Sequence, residues 1–371
     1  MDSTTLASFY NPVYLVLVTI VTMHIAATYK AHSGLRTFEY PSSTPRDWYI
    51  VAALILFFGL RPISGKYFVD MGAYAGGYFR YLGEPFVFNW DVDNKIFDNL
   101  FAFWYGNKLG IVEFFVLIAS IYFGCAYVGI KRLFPTHTLP AYFVFLGAFS
   151  TFSFATNGIK AGAAASIFIL ALGFWDKKLI FYALALVSLG FHPSMQLPVA
   201  ALVIVTFIRN PKFYYAFWVV CLLMSIGHVT YFQNLFGGMT DEQGAGYLLA
   251  TEETSEAHIG FRPDFIIYSA MPVAIGFYYE IKRGFKTKIY SALIHLYITT
   301  NAIWMLCMYA AFNNRIAYLS WFLYPIVLIY PYLYVESDSR KFLWFRKAMI
   351  YHLCFTLFMS FIYYGLLKLG N

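Results

Sequence analysis

The chain has 371 residues, of which 60% are hydrophobic and only 12% charged, a balance outside that of ordinary soluble domains. Its formal charge of +7 does not point to nucleic acid, because Lys and Arg fall in short clusters between apolar runs and form no single patch with interleaved aromatics. Cys125, Cys221, Cys307 and Cys354 lie inside apolar runs without CxxC spacing, so neither a disulfide framework nor a zinc site is indicated.

The apolar runs are long and continuous, unlike the ~10-residue alternating segments of a membrane barrel, and predict helices. Against the ~20 residues needed to cross ~30 Å of hydrocarbon, runs at 10–29, 47–61, 109–130, 139–156, 160–175, 179–191, 194–208, 213–232, 264–280, 289–311, 316–334 and 347–368 predict an all-α, polytopic integral membrane protein of about 12 transmembrane helices. The first run has no basic residue before it and the length of a span, so it reads as a helix and not as a cleaved leader. The runs 47–61, 160–175, 179–191 and 194–208 are short, and some of their ends are expected below the membrane surface, where irregular backbone must face protein or a wet cavity.

Orientation follows from the basic residues. Alternate connections hold Lys30, Arg36 and Arg46; Lys131 and Arg132; Lys177 and Lys178; Arg209 and Lys212; Lys282, Arg283, Lys286 and Lys288; and Arg340, Lys341, Arg346 and Lys347. These are 17 of the 26 Lys and Arg, and they predict that these connections are cytoplasmic, with both termini outside. Two outside connections are long, about 62–108 and 233–263, and long connections are more often functional than idle. The first carries Ile96, Phe97, Leu100, Phe101, Phe103 and Trp104 among Asp93, Lys95 and Asp98, and reads as an interfacial amphipathic helix. The second, rich in Gly and acidic residues between Gly237 and Glu256, reads as an acidic lid. No repeat divides the chain, so a single transmembrane domain over 1–371 is expected.

Away from the cytoplasmic clusters, the outer face keeps isolated ionisable residues beside helix ends: Arg61, Lys160, His192 and Arg315. Helix N-termini with unpaired N–H groups bind phosphate readily. Asn157, Asn313 or Asn314, and His192 before Pro193 have the chemistry of caps. Such ends, together with Arg61, Arg80, Lys160, Arg315 and Asn157, suit a strongly anionic group such as a pyrophosphate. The competing roles are interfacial snorkelling for Arg61 and Arg315, a structural role for Lys160, and simple capping for His192. His192, Asp70 and Glu84 are candidates for proton transfer, although either carboxylate could instead pair with a neighbouring arginine. Tyr74, Tyr81 and Trp90 are candidates for stacking on sugar rings. The acidic run from Asp91 to Lys95 lacks the Gly and Glu of a calcium loop, so no metal site is expected.

In this order the motifs resemble those of the EpsG family and, more broadly, Wzy-type polymerases. The resemblance rests on Arg61, Asp70 and Tyr74 after the second run, Glu84, Pro85 and Phe86, then Asn157 to Lys160, Phe191 to Ser194, and Asn314 with Arg315. The family reads Gly-Ile-Arg-Gln where this chain has Gly158, Ile159, Lys160 and Ala161; lysine keeps the charge but loses the bidentate fork. The Gly-Thr-Asp step before the first Tyr is stretched here to Ser64 through Asp70. The resemblance implies a helical fold like that of the GT-C glycosyltransferases and a metal-independent, cofactor-free glycosyltransferase in the bacterial cytoplasmic membrane. It implies polymerisation, at the extracytoplasmic face, of oligosaccharide repeats carried on polyprenyl pyrophosphate into exopolysaccharide, capsule or O-antigen. A flippase and a chain-length regulator of the same pathway are the implied partners besides the bilayer. A glycan ligase using the same carrier, or a flippase of lipid-linked glycan, is the alternative; a flippase would spread ionisable groups along its path and show an internal repeat.

Overall fold

The computed structural model describes residues 3–31, 45–237, 260–311, 313–334, 338–363 and 365, and every regular element among them is a helix. Residues 238–259, most of the connection expected to form an acidic lid, lie outside the described residues. By contacts the chain gathers into two units, one of Met1–Gln196 with Glu336–Asn371 and one of Leu197–Val335.

The first unit contains α1 (Ser3–Ser8), α2 (Tyr10–Ala31), α3 (Pro45–Gly59), α4 (Val69–Tyr81), α5 (Lys95–Gly106), α6 (Ile111–Leu133), α7 (Thr138–Leu146), α8 (Phe149–Thr156), α9 (Ile159–Gly173) and α10 (Lys178–Phe191). A 3₁₀ turn, Pro193–Met195, and the start of α11 (Gln196–Phe207) follow. α6 is the centre, packed against α3 on one side and α9 on the other, and α10 lies against α9. Glycine sets the α6–α9 spacing: a Cβ on Gly129 would stand 2.6 Å from the Ile169 carbonyl oxygen, so only a residue without a side chain permits this approach. The connection at 62–108 is more regular than its sequence suggests, since α4 and α5 occupy half of it.

The apolar run at 139–156 is not one helix. α7 and α8 meet at 73° across Gly147 and Ala148, where Ala148 is extended (φ −74°, ψ 139°). A break inside an apolar layer strands the last carbonyls of α7, and each must find a donor. Tyr14 of α2 donates its hydroxyl to the Leu146 carbonyl at 2.6 Å, and Thr151 donates to Phe145 at 2.6 Å. His352 of α18 (Asp338–Tyr363) places Nε2 3.2 Å from the Val144 carbonyl. The break is therefore held by side chains from three elements.

The second unit holds most of α11, then α12 (Pro211–Ile226), α13 (Tyr231–Gly237), α14 (Pro263–Phe277) continued by a π turn at Tyr278–Lys282, α15 (Lys288–Leu306), α16 (Asn313–Trp321) and α17 (Tyr324–Tyr334). α12 stops at Ile226, six residues before the end of its apolar run, because Gly227 closes it and His228 takes φ +56° while stacking on Tyr309 at 3.9 Å. Polar side chains tie the interior together: Trp218 Nε1 donates to Asn301 at 2.8 Å, and Asn301 donates to Ser320 at 3.0 Å. A buried carboxylate, Glu280, accepts from Tyr215 (3.1 Å) and Ser291 (2.7 Å) and meets His295 Nε2 at 2.9 Å. His295 in turn stacks on Tyr214 at 4.1 Å.

Among the described residues, four helical stretches are long and apolar enough to cross a membrane: Thr4–Thr28, Ile111–Leu133, Lys288–Leu306 and Asn313–Tyr334. The bent α7–α8 pair makes a fifth if taken as one span, and five shorter apolar helices accompany them, among them α3, α9 and α10. The protein is a polytopic helical membrane protein. At 15 residues α9 is about 22 Å long, shorter than a ~30 Å hydrocarbon layer is thick.

Candidate functional site

The connection that follows α3 runs past the junction of α8 and α9, and two cations flank that junction. Arg61 is buried, 4% exposed. Its Nη1 donates to the Phe58 carbonyl and its Nη2 to the Thr156 carbonyl at 3.5 Å, while the rings of Phe68 and Phe115 lie 5.4 and 5.6 Å from the guanidinium carbon. Backbone carbonyls and ring faces thus offset part of the cost of burying this charge. Its Nε has no hydrogen-bond partner. Arg61 also lines a cavity of about 10 Å³, one water's worth, with Tyr122, Phe154 and Ile159.

Asn157 closes α8, and the N-cap of α9 is Gly158, whose lack of a side chain leaves the first N–H groups of α9 without side-chain capping. The expected capping role of Asn157 is replaced by a different contact: its Nδ2 donates to the Tyr67 carbonyl at 3.4 Å, and its Oδ1, also buried, accepts no hydrogen bond.

Lys160, in the first turn of α9, carries its ammonium 2.8 Å from Asp98 Oδ1 of α5. The same ammonium stands 5.6 Å from the Tyr74 ring centre and 5.2 Å from that of Phe97. Asn94 donates to the other oxygen of Asp98 at 2.9 Å. α5 is seated there by its apolar face, where Phe97 is fully buried against Tyr74, Phe114 and Phe191, with ring centres at 5.5 to 6.2 Å. Asp70, in the first turn of α4, acts electrostatically on both Arg61 and Tyr74. Burial first, then Asp70 and Asp98, push the Tyr74 phenol well above its ordinary pKa, so its hydroxyl stays protonated. Arg61, Asp70, Tyr74, Asn157 and Lys160 therefore form one neighbourhood, and Asp98, Asn94 and Phe97 belong to it as well.

His192 follows Phe191, the ring against Phe97, and the turn that it begins packs against α9. It is extended (φ −154°, ψ 125°), and Nδ1 accepts the Ser194 N–H at 3.2 Å with Pro193 at the first position of the turn, as its sequence context predicts for a cap. A neutral ring with Nδ1 so engaged carries its proton on Nε2.

Arg80 and Tyr81, at the end of α4, and Glu84 and Trp90, on the segment between α4 and α5, are exposed. The ring centres of Tyr81 and Tyr105 lie 5.8 Å apart, and those of Trp90 and Phe88, tilted at 58°, 4.6 Å apart. Glu84 is close enough to Tyr105 that burial, Glu84 and Tyr81 together raise the phenol's pKa. Arg315 belongs to the second unit, where it is exposed in the first turn of α16; beside it Asn313 donates to the Met308 carbonyl at 2.7 Å.

Asp98 was within reach of sequence reasoning, which placed it on an amphipathic helix without a role. A lysine isolated from every basic cluster in an apolar setting needs a carboxylate partner, and the acidic residues flanking that helix were the supply.

The order of elements around this neighbourhood, from α3 to the end of α18, coincides with a family match: the model of the EpsG family covers residues 48–369. The chain belongs to the EpsG family. EpsG proteins are a Wzy-type polysaccharide polymerase family, and the match includes every candidate residue around α9. Neither the curated proteins nor the solved structures compared with this EpsG chain contain a match.

Proposed function

We propose that this EpsG protein joins oligosaccharide repeats carried on polyprenyl pyrophosphate into a longer glycan at the extracytoplasmic face of the bacterial cytoplasmic membrane. The observation that carries the reading is Lys160: a cation in the first turn of a short membrane helix, walled by Tyr74 and Phe97, beside N–H groups that no side chain caps. The about twelve spans and GT-C-like fold expected from the sequence belong to the same proposal.

In the transfer, a sugar hydroxyl of the incoming repeat attacks the anomeric carbon of the growing chain. The bond from that carbon to the diphosphate oxygen breaks, the diphosphate leaves with the electron pair, and the hydroxyl proton passes to a base. The rate depends on how well fixed positive groups meet the charge that develops on the diphosphate. Lys160 and the free N–H groups of α9 would do so directly, and His192 would donate through Nε2. Arg61, held by two backbone carbonyls, would add positive potential from behind. Asp70, half-buried between Arg61 and Tyr74, suits the base better than the exposed Glu84. Tyr81 at the end of α4 and Trp90 on the segment leading to α5, both exposed, would meet sugar rings, with Arg80 as a further contact for the anionic carrier.

The test is the product formed by purified protein from lipid-linked repeat units. A ladder of chain lengths supports polymerisation. A single transfer to a different acceptor identifies a ligase, and absence of any new glycosidic bond leaves transport of the lipid-linked glycan.

A further inference from the structure

The cation assigned to the diphosphate already holds an anion. The Lys160 ammonium is 2.8 Å from Asp98 Oδ1, and both side chains are mostly buried, 22% and 28% exposed, so water screens the pair only in part. The ammonium has three donors and is a point charge, so it turns from one oxyanion to another without the geometric demands of a guanidinium. Asp98 is also anchored independently. Asn94 donates to its second oxygen at 2.9 Å, and its neighbour Phe97 fixes α5 among Tyr74, Phe114 and Phe191. Loss of the lysine contact therefore leaves the carboxylate in place, next to the ammonium that it has released.

We infer that Asp98 is the resident anion of the site: its carboxylate occupies the position at Lys160 that a diphosphate oxygen takes when the carrier binds, and binding is an exchange of one oxyanion for the other. This rests on Lys160 being the diphosphate contact. Asp98 is a positioning residue in this scheme. It keeps the ammonium in place beside the rings of Tyr74 and Phe97 in the absence of substrate, and it sets the affinity that an anion must exceed. A weakly held, singly charged anion fails to displace it, whereas a multiply charged phosphate that also meets the N–H groups of α9 succeeds.

The experiment is calorimetric titration of inorganic pyrophosphate into the full-length protein in lipid nanodiscs. Asp98→Asn keeps the size of the side chain and its contact with Asn94 but removes the competing charge, and pyrophosphate should then bind about five- to tenfold more tightly, the range of a partly screened ion pair. Lys160→Gln should abolish binding, and the double variant should match Lys160→Gln. Unchanged or weaker binding by Asp98→Asn overturns the exchange, as does absence of pyrophosphate binding to the unaltered protein. A readout that needs no variant is hydrogen exchange of the α5 amides, Lys95–Gly106, which should accelerate when pyrophosphate releases the tie to α9; unchanged or slowed exchange rejects the proposal. A glycan ladder without tighter binding by Asp98→Asn sinks the exchange alone, and tighter binding without any ladder sinks the polymerase reading alone.

Discussion

Lys160 and Asp98, 62 positions apart, meet at 2.8 Å and join the first turn of α9 to the helix that covers it. The pair makes the charge at position 160 more important than the residue type. Lys160→Arg, which keeps the positive charge, should preserve glycan polymerisation within a fewfold. Lys160→Gln should reduce it on the order of 10²-fold or more, the cost of losing one preorganised contact to a developing anion. Chain-length ladders from lipid-linked repeats, quantified over time for both variants, provide the check.

Tyr74 contributes a ring face and not a titrating hydroxyl, since its phenol is held in the neutral form by burial and by the carboxylates of Asp70 and Asp98. Tyr74→Phe should therefore retain most of the activity and leave its pH profile where it is. Tyr74→Ala, which removes a wall from Lys160 and a partner from Phe97 and Phe101, should lower turnover and destabilise the seat of α5. An activity–pH curve that moves in Tyr74→Phe would show the hydroxyl to be a proton carrier.

The break between α7 and α8 should be sensitive to the donors that close it. Tyr14→Phe leaves the buried Leu146 carbonyl without its donor and should cost about 1–3 kcal/mol, whereas Thr151→Val should cost less, because the Phe145 carbonyl still accepts the Ala148 N–H. Thermal unfolding in detergent, followed by tryptophan fluorescence, measures the loss. Wild-type stability in both variants would mean that water reaches the break.

In the second unit, the Glu280 carboxylate is engaged by Tyr215, Ser291 and His295 at once. Glu280→Ala leaves the buried Tyr215 and His295 and the half-buried Ser291 without their acceptor and should destabilise the protein by about 3–5 kcal/mol, whereas Glu280→Gln keeps an acceptor oxygen and should cost less. The same unfolding assay ranks the two, and an equal loss in both would assign the cost to charge instead of to hydrogen bonding.

Apolar run length located most helices of this chain, because burial in lipid leaves the backbone little choice. Ile111–Leu133 and Lys288–Leu306 both begin within two residues of their runs. What run length does not carry is direction. Gly147 and Ala148 are apolar enough to pass inside a helix, and the bend between α7 and α8 depends on donors at positions 14, 151 and 352 that no local window contains. The same is true of α12, whose end at Gly227 is secured by the ring of Tyr309 under His228. At the candidate site the cation was legible as an isolated lysine before a run of small residues. Its need for a carboxylate was legible too, but which of the acidic residues near α5 meets it, 62 positions away, is a property of the packed chain.

The bend between α7 and α8 draws one of its donors from α2 and another from α18, near opposite ends of the chain. A ribosome delivers Tyr14 long before residues 144–146 and His352 long after them. Val144 must then wait, during insertion into the bilayer, for a donor that has not been synthesised. Closure of this bend is accordingly a late event in biogenesis, and a nascent chain arrested before α18 would expose an unfinished polar seam to lipid or to the insertion machinery.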